Sequence, residues 1–199
     1  MKTKSLTIAF FFIGAITMLI MSMHYFQNYL TGVLRGKSVS NELWYHITLR
    51  IHIVLGMVAM FSGPLQFSKK LRVRYYKLHK TLGYIYVASV LTSSIAGFIV
   101  AQFAMGGMIS ALGFTILSLL WFLSTFLAVN YALKKDIDKH QIWMIRSFAV
   151  TFSAIPQRLM LLLAFTSFID FIDVYRLSAW FCWIINLIVA EIIIREFKK

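Results

Sequence analysis

Carboxylates, prolines and cysteines are all scarce in this chain. Its 199 residues include 7 Asp and Glu, 2 Pro and 1 Cys. The lone Cys182 excludes an intramolecular disulfide framework. Two prolines and the lack of any Ser/Gly-rich tract exclude a linker between domains, so one unit over residues 1–199 is expected. No H-E-x-x-H, C-x-x-C, P-loop or nucleophile-elbow pattern occurs, and nothing commits the chain to a familiar catalytic class. Too few acids stand against 20 Lys and Arg, leaving a formal net charge of +13.

What the chain has in quantity is apolar surface. It is 60% hydrophobic with a mean hydropathy of +0.77, the range of integral membrane proteins. Crossing a hydrocarbon core takes about 20 residues. Six stretches approach or exceed that length: Leu6–Met23, Ile47–Phe67, Thr81–Ala104, Ser110–Leu133, Gln141–Phe165 and Val174–Ile194. The first lacks a small-residue cleavage site after its apolar run and reads as a retained helix. The expected fold class is an all-α integral membrane protein with six transmembrane helices.

The basic residues fall unevenly between the loops. With the N-terminus inside, Lys2, Lys4, the cluster Lys69, Lys70, Arg72, Arg74, Lys77 and Lys80, then Lys134, Lys135, Lys139, Arg195, Lys198 and Lys199 share one side. Only Arg35, Lys37 and Arg176 fall in the opposite loops. This asymmetry predicts cytoplasmic N- and C-termini in a bacterial plasma membrane, with the basic loops on anionic headgroups. The aromatics lie in apolar runs and not among the basic clusters, so nucleic acid is not an expected partner.

Three cations, Arg50, Arg146 and Arg158, fall within the apolar stretches. The second to fifth stretches also carry small and polar residues at alternating spacings of three and four, hence on one helix face. These are His52, Gly56, Ala59, Gly63 and Gln66; His79, Gly83, Tyr86, Val90 and Gly97; Phe114, Leu117, Trp121, Ser124, Ala128 and Tyr131; and His140, Trp143, Ser147, Thr151, Ala154 and Arg158. Such stripes suit helix contacts in lipid, where apolar area alone drives no association. They predict a four-helix core over approximately 47–165, with peripheral helices at approximately 6–23 and 174–194.

Topology then sorts the polar groups into two layers. His79 and His140 share the cytoplasmic level, with Arg146 about 9 Å deeper by helical rise. Arg50, His52, Gln157 and Arg158 share the opposite level. Each layer admits two readings. The inner histidines are either wet, headgroup-level residues or a bis-imidazole haem site, with Gly83 opening space beside His79. Arg158 either donates to carbonyls released by Pro156 or, with Arg50 and His52, meets an anion, a quinone carbonyl or a propionate. His24 is a weaker partner for His52, and His46 is expected in an aromatic belt with Trp44 and Tyr45.

The segments "HIVLGMVAMFSGPLQF", "KLHKTLGYIY", Gly106-Gly107 with "GFTILSLLW", and "HQIWMIRSFAVTFSAIPQR" together resemble the bacterial predicted-membrane-protein family called domain of unknown function 2306. The resemblance spans most of His52 to Arg158 and maps that family's motif onto His52, Gly63, Pro64, Gln66, His79, Gly83, Tyr86, His140, Trp143, Met144, Arg146 and Arg158. Where the family pattern has His-Arg, this chain has His79-Lys80 and His140-Gln141. The resemblance implies a membrane fold and no settled activity.

The leading functional expectation is b-type haem, ligated by His79 and His140 and assisted by Arg146, for electron transfer with a quinone or another membrane redox partner. A carrier or channel for a small anionic or polar solute, built on Arg50, His52 and Arg158, is the alternative. A non-catalytic accessory or assembly subunit of a larger membrane complex is the third reading.

Overall fold

Backbone satisfaction dictates the architecture. In lipid every N–H and C=O needs an internal partner, which leaves helices as the economical solution for apolar runs of this length. The computed structural model describes residues 2–27, 37–164 and 168–197, without the side chains of 2–10, 24, 27 and 197. Arg35, Lys198, Lys199 and the Phe165 boundary therefore lie outside the described residues, as do the side chains of Lys2, Lys4 and His24.

The elements are α1 (Lys2–Ser22), α2 (His24–Gln27), α3 (Leu43–Gln66), α4 (Lys69–Arg74), α5 (Tyr76–Ala101), α6 (Met108–Leu133), α7 (Ile137–Phe152), α8 (Ala154–Ala164) and α9 (Phe171–Phe197), with no strand among the described residues. Five segments are long and apolar enough to cross a membrane: α3, α5, α6, α7 with α8, and α9. In α1 the apolar helix with described side chains is Phe11–Ser22.

Local chemistry sets the helix ends. The Asp136 carboxylate caps α7, accepting from the Lys139 amide at 3.1 Å and pairing with the Lys139 ammonium at 2.8 Å. Those donors hold its carboxyl below the usual range. Gly106 and Gly107 make the turn from α5 to α6 with φ of 79° and 73°, the left-handed region that glycine adopts without penalty. Arg176 donates to the Gly106 carbonyl at 2.9 Å, fastening the start of α9 to that turn.

Helices α3, α5, α6 and α7 pack as a ring, with α7 closing against α3, so that α5 and α7 oppose each other across its diagonal. Outside the ring, α1 leans on α3 and α8, and α9 on α6, α7 and α8. This is the core and periphery that the stripes predict. Two details differ. The fifth stretch breaks at Ser153, between α7 and α8, because Pro156 has no amide hydrogen for the Phe152 carbonyl. Trp143 is only partly buried, whereas Met144 turns into the core beside Ala128 and Phe148.

The ring's centre holds a closed set of hydroxyls. Thr125 and Thr151 donate to carbonyls one turn back, Trp121 at 2.9 Å and Ser147 at 2.9 Å. Each can then only accept from its other neighbours. Thr151 accepts from the Trp121 indole at 2.8 Å, and Thr125 from the Ser147 hydroxyl at 2.6 Å. The Tyr86 phenol reaches across the diagonal to Ser147 and Thr151, at 2.8 and 3.0 Å. Every other member keeps a partner without the phenol, so Tyr86→Phe should cost only about 1 kcal/mol. Tyr86→Ala also empties a fully buried site and should cost about 3–5 kcal/mol. Unfolding of the two purified variants in detergent measures the difference, and equal losses would show that the hydroxyl and not the ring carries the contact.

Candidate functional site

In the half of the ring remote from the basic loops, the helices enclose a chamber of roughly 190 Å³. Side chains from α1, α3, α5, α6, α7, α8 and α9 all contribute to its wall. Small residues create the space. At Gly97 an added Cβ would stand 2.8 Å from the His52 ring, and at Gly56 the first neighbours are Ser93 and Trp121. The floor is the Trp121–Thr151 end of the hydroxyl set, and the far end carries Tyr25, Tyr45, Tyr175 and Lys37.

His52 lines the chamber in a fixed tautomer. Ser93 gives its own hydroxyl proton to the His52 carbonyl at 2.8 Å, so its oxygens can only accept from the ring. They stand 2.9 Å (carbonyl) and 3.2 Å (hydroxyl) from Nδ1, which places the proton on Nδ1 and leaves Nε2 as a base.

Arg158 also lines the chamber. Its Nη1 donates to the Gln157 side-chain oxygen at 2.8 Å, while its buried Nε has no hydrogen-bond partner among the described residues. Asn186 of α9 donates to the Ala149 carbonyl at 3.2 Å and to the Ser153 hydroxyl at 3.3 Å, both at the C-terminal end of α7. Arg50 stands elsewhere, its guanidinium 5.8 Å from the Phe26 ring centre and outside the chamber wall.

Among the described residues lining the chamber there is no carboxylate. Its second cation, Lys37, donates to the Tyr45 hydroxyl at 2.8 Å and lies 5.4 Å from that ring. Burial pushes the Lys37 ammonium down to about 8. Position 37 reads in the sequence as an ordinary loop charge, and Tyr45 as part of an aromatic belt; Tyr25 and Tyr175 carry no pattern that singles them out. Only the fold brings them to the chamber. Ser93 was within reach of sequence reasoning, since it lies between Val90 and Gly97 at the same alternating spacing.

At the basic end the two expected histidines take diagonal helices, His79 on α5 and His140 on α7, near enough for their charges to act on one another. His140 donates Nδ1–H to the Ala128 carbonyl at 2.9 Å, leaving its Nε2 as a base. The Nδ1 of His79 is buried without a hydrogen-bond partner among the described residues, as is the amide nitrogen of Gln66. The space that Gly83 opens is taken by that Gln66 side chain, 3.2 Å from where a Cβ would lie. Arg146 does not join the histidines. Its guanidinium is held by Glu191 of α9 through two bonds, 2.6 and 3.1 Å, and lies 4.5 Å from the Trp143 ring centre. His46 is no belt residue either: it is 4% exposed, its Nε2 2.6 Å from the Ser40 carbonyl.

Apolar helices of this length, packed around a chamber, define a multi-pass membrane protein. The chain belongs to the predicted membrane protein family DUF2306, whose family model matches residues 49–194. The match continues through α9, which the motif resemblance leaves out. No curated protein and no solved structure matches the chain.

Lys37 supplies a direct check on the chamber's dryness. Its folded pKa lies below the ordinary value of 10.5, so between about pH 8 and 10.5 the unfolded chain binds more protons than the folded one. Stability should therefore rise with pH through that window. The melting temperature of the wild type should gain on that of Lys37→Met as pH climbs from 8 to 10; parallel curves would place Lys37 in water.

Proposed function

We propose that this protein is a six-span plasma-membrane protein with cytoplasmic termini that binds a small anionic, oxygen-bearing ligand in the chamber and carries it. The orientation rests on the bias of Lys and Arg toward one set of loops. The ligand reading rests on Arg158: a guanidinium on the chamber wall, with a buried Nε unpartnered among the described residues and no carboxylate among those residues of the wall. Placing a guanidinium in a membrane helix costs roughly 2.5–3.5 kcal/mol even on the lenient insertion scale. An anion that accepts from Nε and the remaining guanidinium hydrogens offsets that cost through charge-assisted bonds. Lys37 and the tyrosine hydroxyls supply further donors, and His52 Nε2 accepts from a protonated ligand group.

The test is binding and flux by the purified full-length protein. Carboxylate and phosphate compounds are screened for a rise in melting temperature, and those that bind are loaded into proteoliposomes. Wild type should bind and move at least one of them, and Arg158→Gln should weaken binding at least ten-fold while Arg158→Lys keeps part of it. An inert wild type, or binding unchanged in Arg158→Gln, refutes the reading.

A second reading, b-type haem at the basic end, is favoured by the diagonal placement of His79 and His140, with His140 locked so that Nε2 is the available ligand. If haem binds, His79 and His140 are the residues that would hold it. Haem bound there would supply one-electron chemistry toward a quinone. A Soret band in the purified protein that disappears in His79→Ala with His140→Ala is the expected result; its absence after haem supplementation rules haem out.

A further inference from the structure

Beside the chamber lies a second hollow of different character. It is an apolar groove of about 460 Å³ between α1, α3 and α5, lined by Phe12, Val54, Val58, Phe61, Leu65 and Leu82. Its one polar side chain, Ser62, is turned back onto the Val58 carbonyl at 2.7 Å and offers nothing to a ligand's polar group. Met57 lines both spaces, facing the chamber on one side and the groove on the other. Thus a compartment that carries cations and hydroxyls on its wall and a hydrocarbon-like one meet at a single flexible, unbranched side chain, the type that swings most easily between rotamers.

We propose that the ligand is an amphiphile drawn from the bilayer: a single-chain carboxylate of the fatty-acid type, its head on Arg158 in the chamber and its tail passing Met57 into the groove. This deepens the preceding reading and rests on it. The head is anionic because the chamber offers Arg158 and Lys37 and, among the described residues lining it, no carboxylate. A neutral head would leave the guanidinium charge uncompensated. The tail is a single hydrocarbon chain because the groove follows α3 from Val54 to Leu65, about 16 Å by helical rise, with apolar walls throughout. Entry is lateral, since α1 is a peripheral helix and its Phe12 forms one wall. Met57 is the gate between the two compartments.

The experiment uses the full-length protein in nanodiscs of neutral phospholipid and a fatty acid carrying a photoreactive diazirine midway along its chain. Labelling should saturate and map to the 54–65 segment of α3. It should fall at least ten-fold in Arg158→Gln and in Met57→Trp, which blocks the passage, and persist in Arg158→Lys. Melting curves identify any variant that has merely unfolded, and for such a variant competition against wild type decides. There, an unlabelled fatty acid should displace the probe, while the alcohol of the same length and a neutral quinone should not. Labelling spread evenly over lipid-facing helices, or unchanged in Arg158→Gln, overturns the proposal. So does equal displacement by the alcohol or the quinone. If acetate or inorganic phosphate binds through Arg158 while the long-chain probe does not, the amphiphile is refuted and the anion-binding chamber stands.

Discussion

The buried side chain of Tyr86, ring and phenol together, sets the register of the helix ring. In lipid, neighbouring helices gain little from burying apolar area against one another, so their relative positions depend on close packing and on polar bonds with defined geometry. Tyr86 is fully buried on α5 and bonds to α7 on the opposite side of the ring, while Trp121 and Thr125 bring α6 to the same two hydroxyls. One diagonal bond and its two lateral supports fix three of the four core helices. The fourth, α3, is fixed one layer away, where Ser93 of α5 and His52 of α3 bond to each other both through the ring and through the His52 carbonyl.

That arrangement divides the molecule into two polar ends. Between them the closed hydroxyl set and its apolar neighbours Ala59, Val90, Ala128, Met144 and Phe148 fill the section. Each hydroxyl proton in the set has its acceptor, so the set offers no spare donor in either direction. The chamber at one end and the histidine pair at the other are therefore separated by a packed section, and the proposed carrier would have to move helices rather than let a solute thread the centre. The break at Ser153 is the natural place for such a movement: it separates α7, which carries the hydroxyls, from α8, which carries Arg158. Asn186 of α9 bonds to Ala149 and Ser153 on the α7 side of that break, both bonds longer than 3 Å.

Much of this was legible in the sequence because lipid makes patterns strict. A stripe of small and polar residues in an otherwise apolar helix has few places to point, and Ala59, Tyr86, Val90, Trp121, Ser147 and Thr151 all point inward as their spacing requires. His52 and Arg158 likewise reach one chamber from the same layer. Direction around the axis is less strict near helix ends. Met144 and Trp143 are one residue, about 100°, apart, and which of them faces inward depends on where the helix packs. What one sequence cannot rank is competition for partners. Arg146 and Arg158 look alike as intramembrane cations, but only the fold shows that the Glu191 carboxylate reaches one and the Gln157 amide oxygen the other.

The scarcity of carboxylates acquires its meaning from those two arginines. Each is a delocalised cation that lipid tolerates poorly, and the cheapest remedy is an anion within hydrogen-bonding distance. The chain supplies one to Arg146, through Glu191 on α9, and that pair also holds the peripheral helix against the core. Arg158 receives a neutral oxygen from Gln157 and stands on the wall of an open chamber. A side chain kept only for structure would gain from a carboxylate in that wall, as Arg146 gains from Glu191. A carboxylate there would also compete with an incoming anion for the same guanidinium. The contrast between the two sites is the one such competition would produce: the arginine with a built-in counter-ion is committed to the fold, and the arginine with no carboxylate among the described residues of its chamber wall is the one proposed to meet a ligand.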